Sequence, residues 1–578
     1  MTAAPADTTD RSTSVESTAS GGRPAAGRVR PTVADLLRAA VGAVPGGADR
    51  PGQQQMAAAI EQSVATGEHL LVQAGTGTGK SLAYLAPALA VDGPVVVSTA
   101  TLALQSQLVD HDLPRLADAA EPLLGHRPTY AVLKGRHHYL CLARLESSTE
   151  DEPEDALFDV AGNGGAAPAR PGVRWLGEAG RLGKQMQRLR DWAMETETGD
   201  RDELDPGVED RTWRLVSMPA RECVGAGRCP FGAECFAEAS RVRAREADIV
   251  MTNHSLLAVD MLAGRHIVPP HRLLVVDEAH ELADRVSAAA QAELVPEAIE
   301  RAARRCRPLV PPEVAESLQT AADALAVGLS AAPTGRITAG LPGPLREACT
   351  LLDAATRAAL TKIGDVKADD PDPVRKQQAR AVLGELADTS QRLLEEADHD
   401  VAWVERPEGL GGRSALVVAP LSVAGTLATH LYEERTVVAT SATLALGGRF
   451  DTVARALGLT DDGPEWHPLD VGSPFDYPRQ GILYVAAHLP RPGVSGLPEP
   501  AGKELLRLVT ALGGRTLGLF SSRRAAQQAA DLLRAQTDLP VLLQGEEALP
   551  LLVRRFRDDR SSCLFGVMSL WQGVDVPG

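Results

Sequence analysis

Lysine is scarce in this chain: seven residues, against fifty-two arginines. Any lysine at a chemically demanding position is therefore hard to ascribe to composition. Aromatic residues make up only 3%, so a base-stacking platform would rest on few side chains. Positive charge is also in deficit. A net charge of −17 over 578 residues excludes a generally basic coat, and contact with a polyanion must come from local patches. No apolar run approaches the roughly 20 residues that span a bilayer. The N-terminus lacks the charged-then-apolar pattern of a secretion signal. These absences lead to the expectation of a cytoplasmic chain with no membrane partner. Cysteines number seven, an odd count, and in a reducing compartment clustered thiols bind metal or do redox chemistry. Apolar residues, by contrast, are plentiful at 44%, over a length that suggests about three or four compact units.

One of the rare lysines stands in Leu70 to Ser81, LLVQAGTGTGKS. A short apolar run leads into a glycine-rich turn, and Lys80-Ser81 open an alanine-rich stretch to Ala90. The pattern predicts strand, loop and helix. Such a loop turns backbone N–H groups inward, and the helix N-terminus adds its positive dipole end, which makes an anion cradle. The cradle spans Ala74, Gly75, Thr76, Gly77, Thr78, Gly79, Lys80 and Ser81. Lys80 would reach the β- and γ-phosphates of a nucleotide, and the Ser81 hydroxyl would coordinate Mg²⁺. The usual pattern is G-x-x-x-x-G-K-[ST], and Ala74 replaces its first glycine. Just upstream, Arg50-Pro51-Gly52-Gln53 precedes a helix. The Gln53 amide offers a donor and an acceptor, as reading an adenine edge requires. A glutamine-rich helix start explains the same residues equally well.

Downstream, Val95 to Thr99 reads as a buried parallel strand, and Thr101, Gln105 and Gln107 are available for phosphate or sugar contacts. Strand alternating with helix indicates a doubly wound α/β domain. At Leu273 to His280 the chain reads LLVVDEAH. Two carboxylates at the carboxyl end of a central strand sit where open α/β sheets bind ligands. Asp277 can hold Mg²⁺ bound to phosphate, and Glu278 can orient and deprotonate the attacking water.

Between these motifs the pattern breaks. Cys141 is followed at a distance by Cys223, Cys229 and Cys235, spaced C-x5-C-x5-C. That is not the C-x2-C spacing common in zinc sites. Four thiolates suit a [4Fe–4S] cluster, which takes Cys₄ ligation. Cys306, Cys349 and Cys563 read instead as small core thiols. Arg241, Arg243 and Arg245 form either a phosphate-facing stripe or a solvated helix face. Residues 281 to about 412 have helical spacing and little β signal. The α/β pattern returns at Ala415 to Ala419 and at Thr436 to Ala439, the latter leading into Thr440-Ser441-Ala442-Thr443-Leu444. Further strands are expected at Leu517 to Phe520, Val541 to Leu543 and from Cys563.

Together these residues resemble the DinG/XPD-like helicases of superfamily 2. Arg50 to Gln53 is similar to the adenine-reading motif of that family. Ala74 to Ser81 and Asp277 to His280 match its two nucleotide motifs, and the four cysteines fall where it holds an iron–sulfur cluster. Thr440 to Leu444 resembles motif III, Leu517 to Arg523 motif IV, and Trp571 to Gly578 motif V, in which Asp575 would face the nucleotide. The resemblance implies an α/β fold with two RecA-like P-loop motor domains. The first would occupy 31–135, 248–280 and 413–445. An iron–sulfur insertion at 136–247 and a helical arch at 281–412 would interrupt it. The second would run over 446–578, behind a disordered tail at 1–30. The implied activity is ATP-driven 5′→3′ translocation on single-stranded DNA with duplex unwinding, in DNA repair or replication. Its partners would be single-stranded DNA and duplexes with a 5′ tail, acted on by a monomer. A redox-responsive DNA-binding protein that turns over little ATP, or a non-catalytic binding module, are the rival expectations. The family continues into a motif VI whose arginine meets the γ-phosphate, worth roughly 10³ to 10⁵ in rate. The chain reaches only Gly578, so a fragment with an incomplete second motor domain is expected. Some relatives carry an exonuclease domain ahead of the motor, and none is expected before residue 31.

Overall fold

The computed structural model describes residues 31–100, 104–105, 108–147, 171–367, 370–406, 413–460, 462–490, 496–547, 549–567 and 570. The tail expected over 1–30, together with Thr101, Gln107 and the stretch Trp571 to Gly578 with Asp575, lies outside them.

Among the described residues the strands follow in chain order as His69–Gln73 (β1), Val95–Thr99 (β2), Tyr130–Val132 (β3), Ile249–Asn253 (β4) and Leu273–Asp277 (β5). Then come Ala292–Leu294 (β6), Gly335–Arg336 (β7), Asp400–Glu405 (β8) and Ala415–Pro420 (β9). Thr436–Ser441 (β10), Trp466–Asp470 (β11), Thr516–Leu519 (β12), Val541–Leu543 (β13) and Cys563–Gly566 (β14) complete the series.

A seven-stranded sheet has the order β11-β1-β10-β5-β2-β4-β3, and every pairing in it is parallel. Its central strands are near-continuous apolar runs because both faces are covered. Leu71, Val96, Val250, Leu274 and Val437 pack to one side, and Leu70, Val72, Val97, Met251 and Val438 to the other. Register aligns the carboxyl ends. Gln73 lies beside Ser441, and Thr440 beside Asp277. A second parallel sheet, β12-β14-β13, has Phe565 and Leu564 fully buried at its centre. Two parallel α/β units are thus present, as the resemblance implies.

Three strand placements depart from the sequence pattern. The region 281–412 is dominated by the helices Pro296–Cys306, Pro312–Ala331, Gly343–Ile363 and Pro373–Glu395, which share a core of their own. It nevertheless contains β6, β7 and β8. The run Ala415 to Ala419 does not return to the seven-stranded sheet. As β9 it lies between β6 and β8 in an antiparallel four-stranded sheet, with Leu416 opposite Leu294 and Val404. An interior strand is apolar on both faces in either setting, so composition could not tell the two apart. The seven-stranded sheet also takes β11, from beyond residue 446. Its sequence WHPLD has no apolar run, and its proline is tolerated because β11 is an edge strand.

Candidate nucleotide site

β1 delivers the chain into the loop at Ala74, which is fully buried and donates its N–H to the Ser441 carbonyl at 2.9 Å. Gly77 and Gly79 have φ of +81° and +84°, the left-handed region that side chains with a Cβ rarely adopt. A Cβ on Gly79 would also stand 2.3 Å from Gln53 Nε2. Gly79 caps the helix Lys80–Ala88, whose first residues present N–H groups without intrahelical partners. The helix Pro51–Thr66 braces the loop from behind. Arg50 donates to the Gly77 carbonyl, and Gln53 Nε2 donates to the Gly79 carbonyl at 2.9 Å. The Gln53 amide nitrogen expected to read an adenine edge is therefore engaged with the loop in this structure.

Lys80 and Glu278 meet although 198 residues separate them, with Nζ 2.6 Å from Oε1. Glu278 has a left-handed backbone, φ 55° and ψ 47°, which is uncommon for a residue with a long side chain. Ser441 Oγ donates to the second carboxylate oxygen of Glu278 at 2.9 Å, and His280 Nδ1 lies 2.8 Å from the same hydroxyl. Burial alone would raise the Glu278 carboxyl, but the Lys80 ammonium and the Ser441 hydroxyl outweigh it and hold the group below its usual range. Asp277 differs. Burial pushes it up to about 6, with Glu278 adding and Lys80 opposing. It is 2% exposed and takes hydrogen bonds from the Glu278 amide and the Tyr84 hydroxyl, each at 3.0 Å. A buried carboxylate and the Ser81 hydroxyl are hard oxygen donors, which is what Mg²⁺ accepts.

The structure thus brings Gln53, the Ala74–Ser81 loop, Asp277 and Glu278 together. Sequence reasoning missed two contributors. Tyr84 lies one helical turn beyond Ser81, a spacing that could have flagged it. The segment after β11 was silent in sequence. There the Gly472 carbonyl accepts from Gly75 N–H at 2.9 Å, and the Phe475 ring comes within 2.5 Å of where a Gly77 Cβ would be.

The four cysteines also converge. All are free and half-buried. The Cys141 thiol is pushed up to about 11, chiefly by burial, and then by Cys223, Cys229 and Cys235. Cys235 caps the helix Phe236–Glu246, and Arg136, ion-paired with Glu238, feels the charge of Cys223 and Cys235. Among the described residues no set of three or more His, Cys, Asp or Glu side chains is grouped as the ligands of one metal ion. A single ion needs its ligands in one coordination shell, whereas a [4Fe–4S] cluster spreads four thiolates over four irons. Cys306, Cys349 and Cys563 are fully buried apolar-core thiols, as expected.

Residues 50–122 match the DEAD/DEAH box helicase family and residues 505–578 the helicase C-terminal domain family. The ATP-dependent helicase DinG of Mycobacterium tuberculosis is 48% identical over 565 residues, covering 95% of this chain and 82% of that protein. The chain belongs to the DinG family of helicases. Another relative, the ATP-dependent DNA helicase YoaA of Escherichia coli K12, is 31% identical over 93% of this chain and 81% of its own length. Among solved structures an XPD helicase is similar at 14% identity and a TM-score of 0.47, over 90% of this chain and 80% of that one. Within this DinG-family chain, no described helix is long and apolar enough to cross a membrane.

Proposed function

We propose that the chain is an ATP-driven DNA helicase that translocates 5′→3′ on single-stranded DNA and serves repair or replication. The observation that carries the reading is the Lys80–Glu278–Ser441 constellation at the aligned carboxyl ends of β1, β5 and β10. Glu278 takes Lys80 on one carboxylate oxygen and the Ser441 hydroxyl on the other, which supports a cation, a base and a linking hydroxyl working at one site. In this reading Lys80 and the loop N–H groups hold the phosphates, Ser81 and Asp277 hold Mg²⁺, and Glu278 takes the proton of the attacking water. Bound Mg²⁺ would neutralise phosphate charge. Arrival of the phosphates would draw Lys80 away from Glu278 and leave that carboxylate free to act as a base. Ser441 then links the base to β10, on the path toward the second α/β unit. Asp575 is proposed to face the same nucleotide from the second unit. The names of the relatives support the motor reading over a redox-responsive binder.

Polarity is testable by strand displacement with the full-length gene product. A duplex with a 5′ single-stranded tail should be unwound and one with a 3′ tail left intact. Equal unwinding of both would remove the directional part of the proposal.

We also infer that Cys141, Cys223, Cys229 and Cys235 hold a [4Fe–4S] cluster, supported by the convergence of four free thiols. Anaerobically purified protein should carry iron and sulfide with a broad visible absorption, and Cys229→Ser should lose both. Protein that is colourless and iron-free after anaerobic purification would contradict the assignment.

A further inference from the structure

Tyr84 is fully buried, 0% exposed, and stands three residues after Ser81, on the same face of the helix Lys80–Ala88. Its hydroxyl donates to Asp277 Oδ2 at 3.0 Å. A phenol has one proton to give. That proton goes to the Asp277 carboxylate. The Asp277 carboxylate is fixed from both ends, since its other oxygen takes the Glu278 N–H at 3.0 Å. One buried hydroxyl thus ties the helix after β1 to the carboxyl end of β5. Packing alone does not call for it, because phenylalanine would fill the same space.

We propose that Tyr84 is the positioning residue for Mg²⁺: its hydroxyl sets the rotamer of Asp277 before nucleotide arrives. The inference rests on the nucleotide-site reading of Lys80 and Ser81. Partners of this kind, bonded to the ligands rather than the metal, typically change metal affinity about 10- to 100-fold when removed.

The test is binding of a fluorescent ADP to the full-length gene product, titrated with Mg²⁺ and repeated in EDTA. For Tyr84→Phe, the Mg²⁺ concentration giving half of the affinity gain should rise about tenfold or more. Affinity in EDTA should stay within about twofold, because the loop and Lys80 are untouched. Tyr84→Met, which removes the hydroxyl through a different side chain, should give the same shift. An unchanged Mg²⁺ midpoint in either variant would overturn the proposal. So would equal loss of binding with and without Mg²⁺, which would make the hydroxyl a structural element of the whole loop. Failure of the unsubstituted protein to bind ADP at all would instead remove the nucleotide-site reading itself.

Discussion

Lys80→Ala is expected to abolish DNA-stimulated ATP hydrolysis, lowering kcat/KM by about 10²- to 10³-fold. The lysine is one of only seven in the chain, and its ammonium is aimed at the carboxyl ends of β1 and β5 by the first turn of a helix. Its present partner is Glu278, 2.6 Å away, in a site where both side chains are largely buried. That low-dielectric setting makes a cation worth more to a phosphate than it would be in water. Truncation removes it and also leaves Glu278 without its strongest partner, so loss of nucleotide affinity and loss of turnover should appear together. Binding of fluorescent ADP reads the first, and steady-state ATPase with saturating single-stranded DNA reads the second. Full stimulated activity in the variant would show that the motor assignment is wrong.

Glu278→Gln should separate the two effects. Glutamine keeps the shape and can still face Lys80 and Ser441, so the loop and its nucleotide affinity are expected to survive. What is lost is a group able to accept a proton, a change worth about 10²- to 10⁴-fold in kcat. The carboxyl is held below its usual range by Lys80 and Ser441 despite burial, and it is therefore ionised and ready at neutral pH. The check is a paired measurement of kcat and of the dissociation constant for MgATP. A variant that lost binding as steeply as turnover would mean that Glu278 is structural.

Most of this site was legible in the sequence because its parts are local. A strand, a glycine-rich turn and a following Lys80-Ser81 lie within twelve residues, and LLVVDEAH carries its carboxylates at the end of an apolar run. The glycines could be placed because left-handed turns demand them. What the sequence could not show is which distant parts meet. Ser441 was visible as a hydroxyl at a strand end, but its contact with Glu278 follows from β10 lying between β1 and β5. Tyr84 read as one more residue on an apolar helix until Asp277 was seen beneath it. Phe475 reaches the loop only because β11 joins the sheet edge with WHPLD, a sequence without a strand pattern. In the same way Ala415 to Ala419 has the composition of a motor strand and pairs elsewhere, since partner and direction are decided by tertiary packing rather than by local propensity. The four cysteines were legible as a group through count and spacing, and their convergence came from the fold.

The measurement that bears most directly on the central claim is ATP hydrolysis by the full-length gene product, with and without single-stranded DNA, in parallel with Glu278→Gln. The account predicts that DNA raises the rate of the unsubstituted protein several-fold and that the variant stays at background in both conditions. A rate indifferent to DNA, or stimulation that persists without the Glu278 carboxylate, would contradict it.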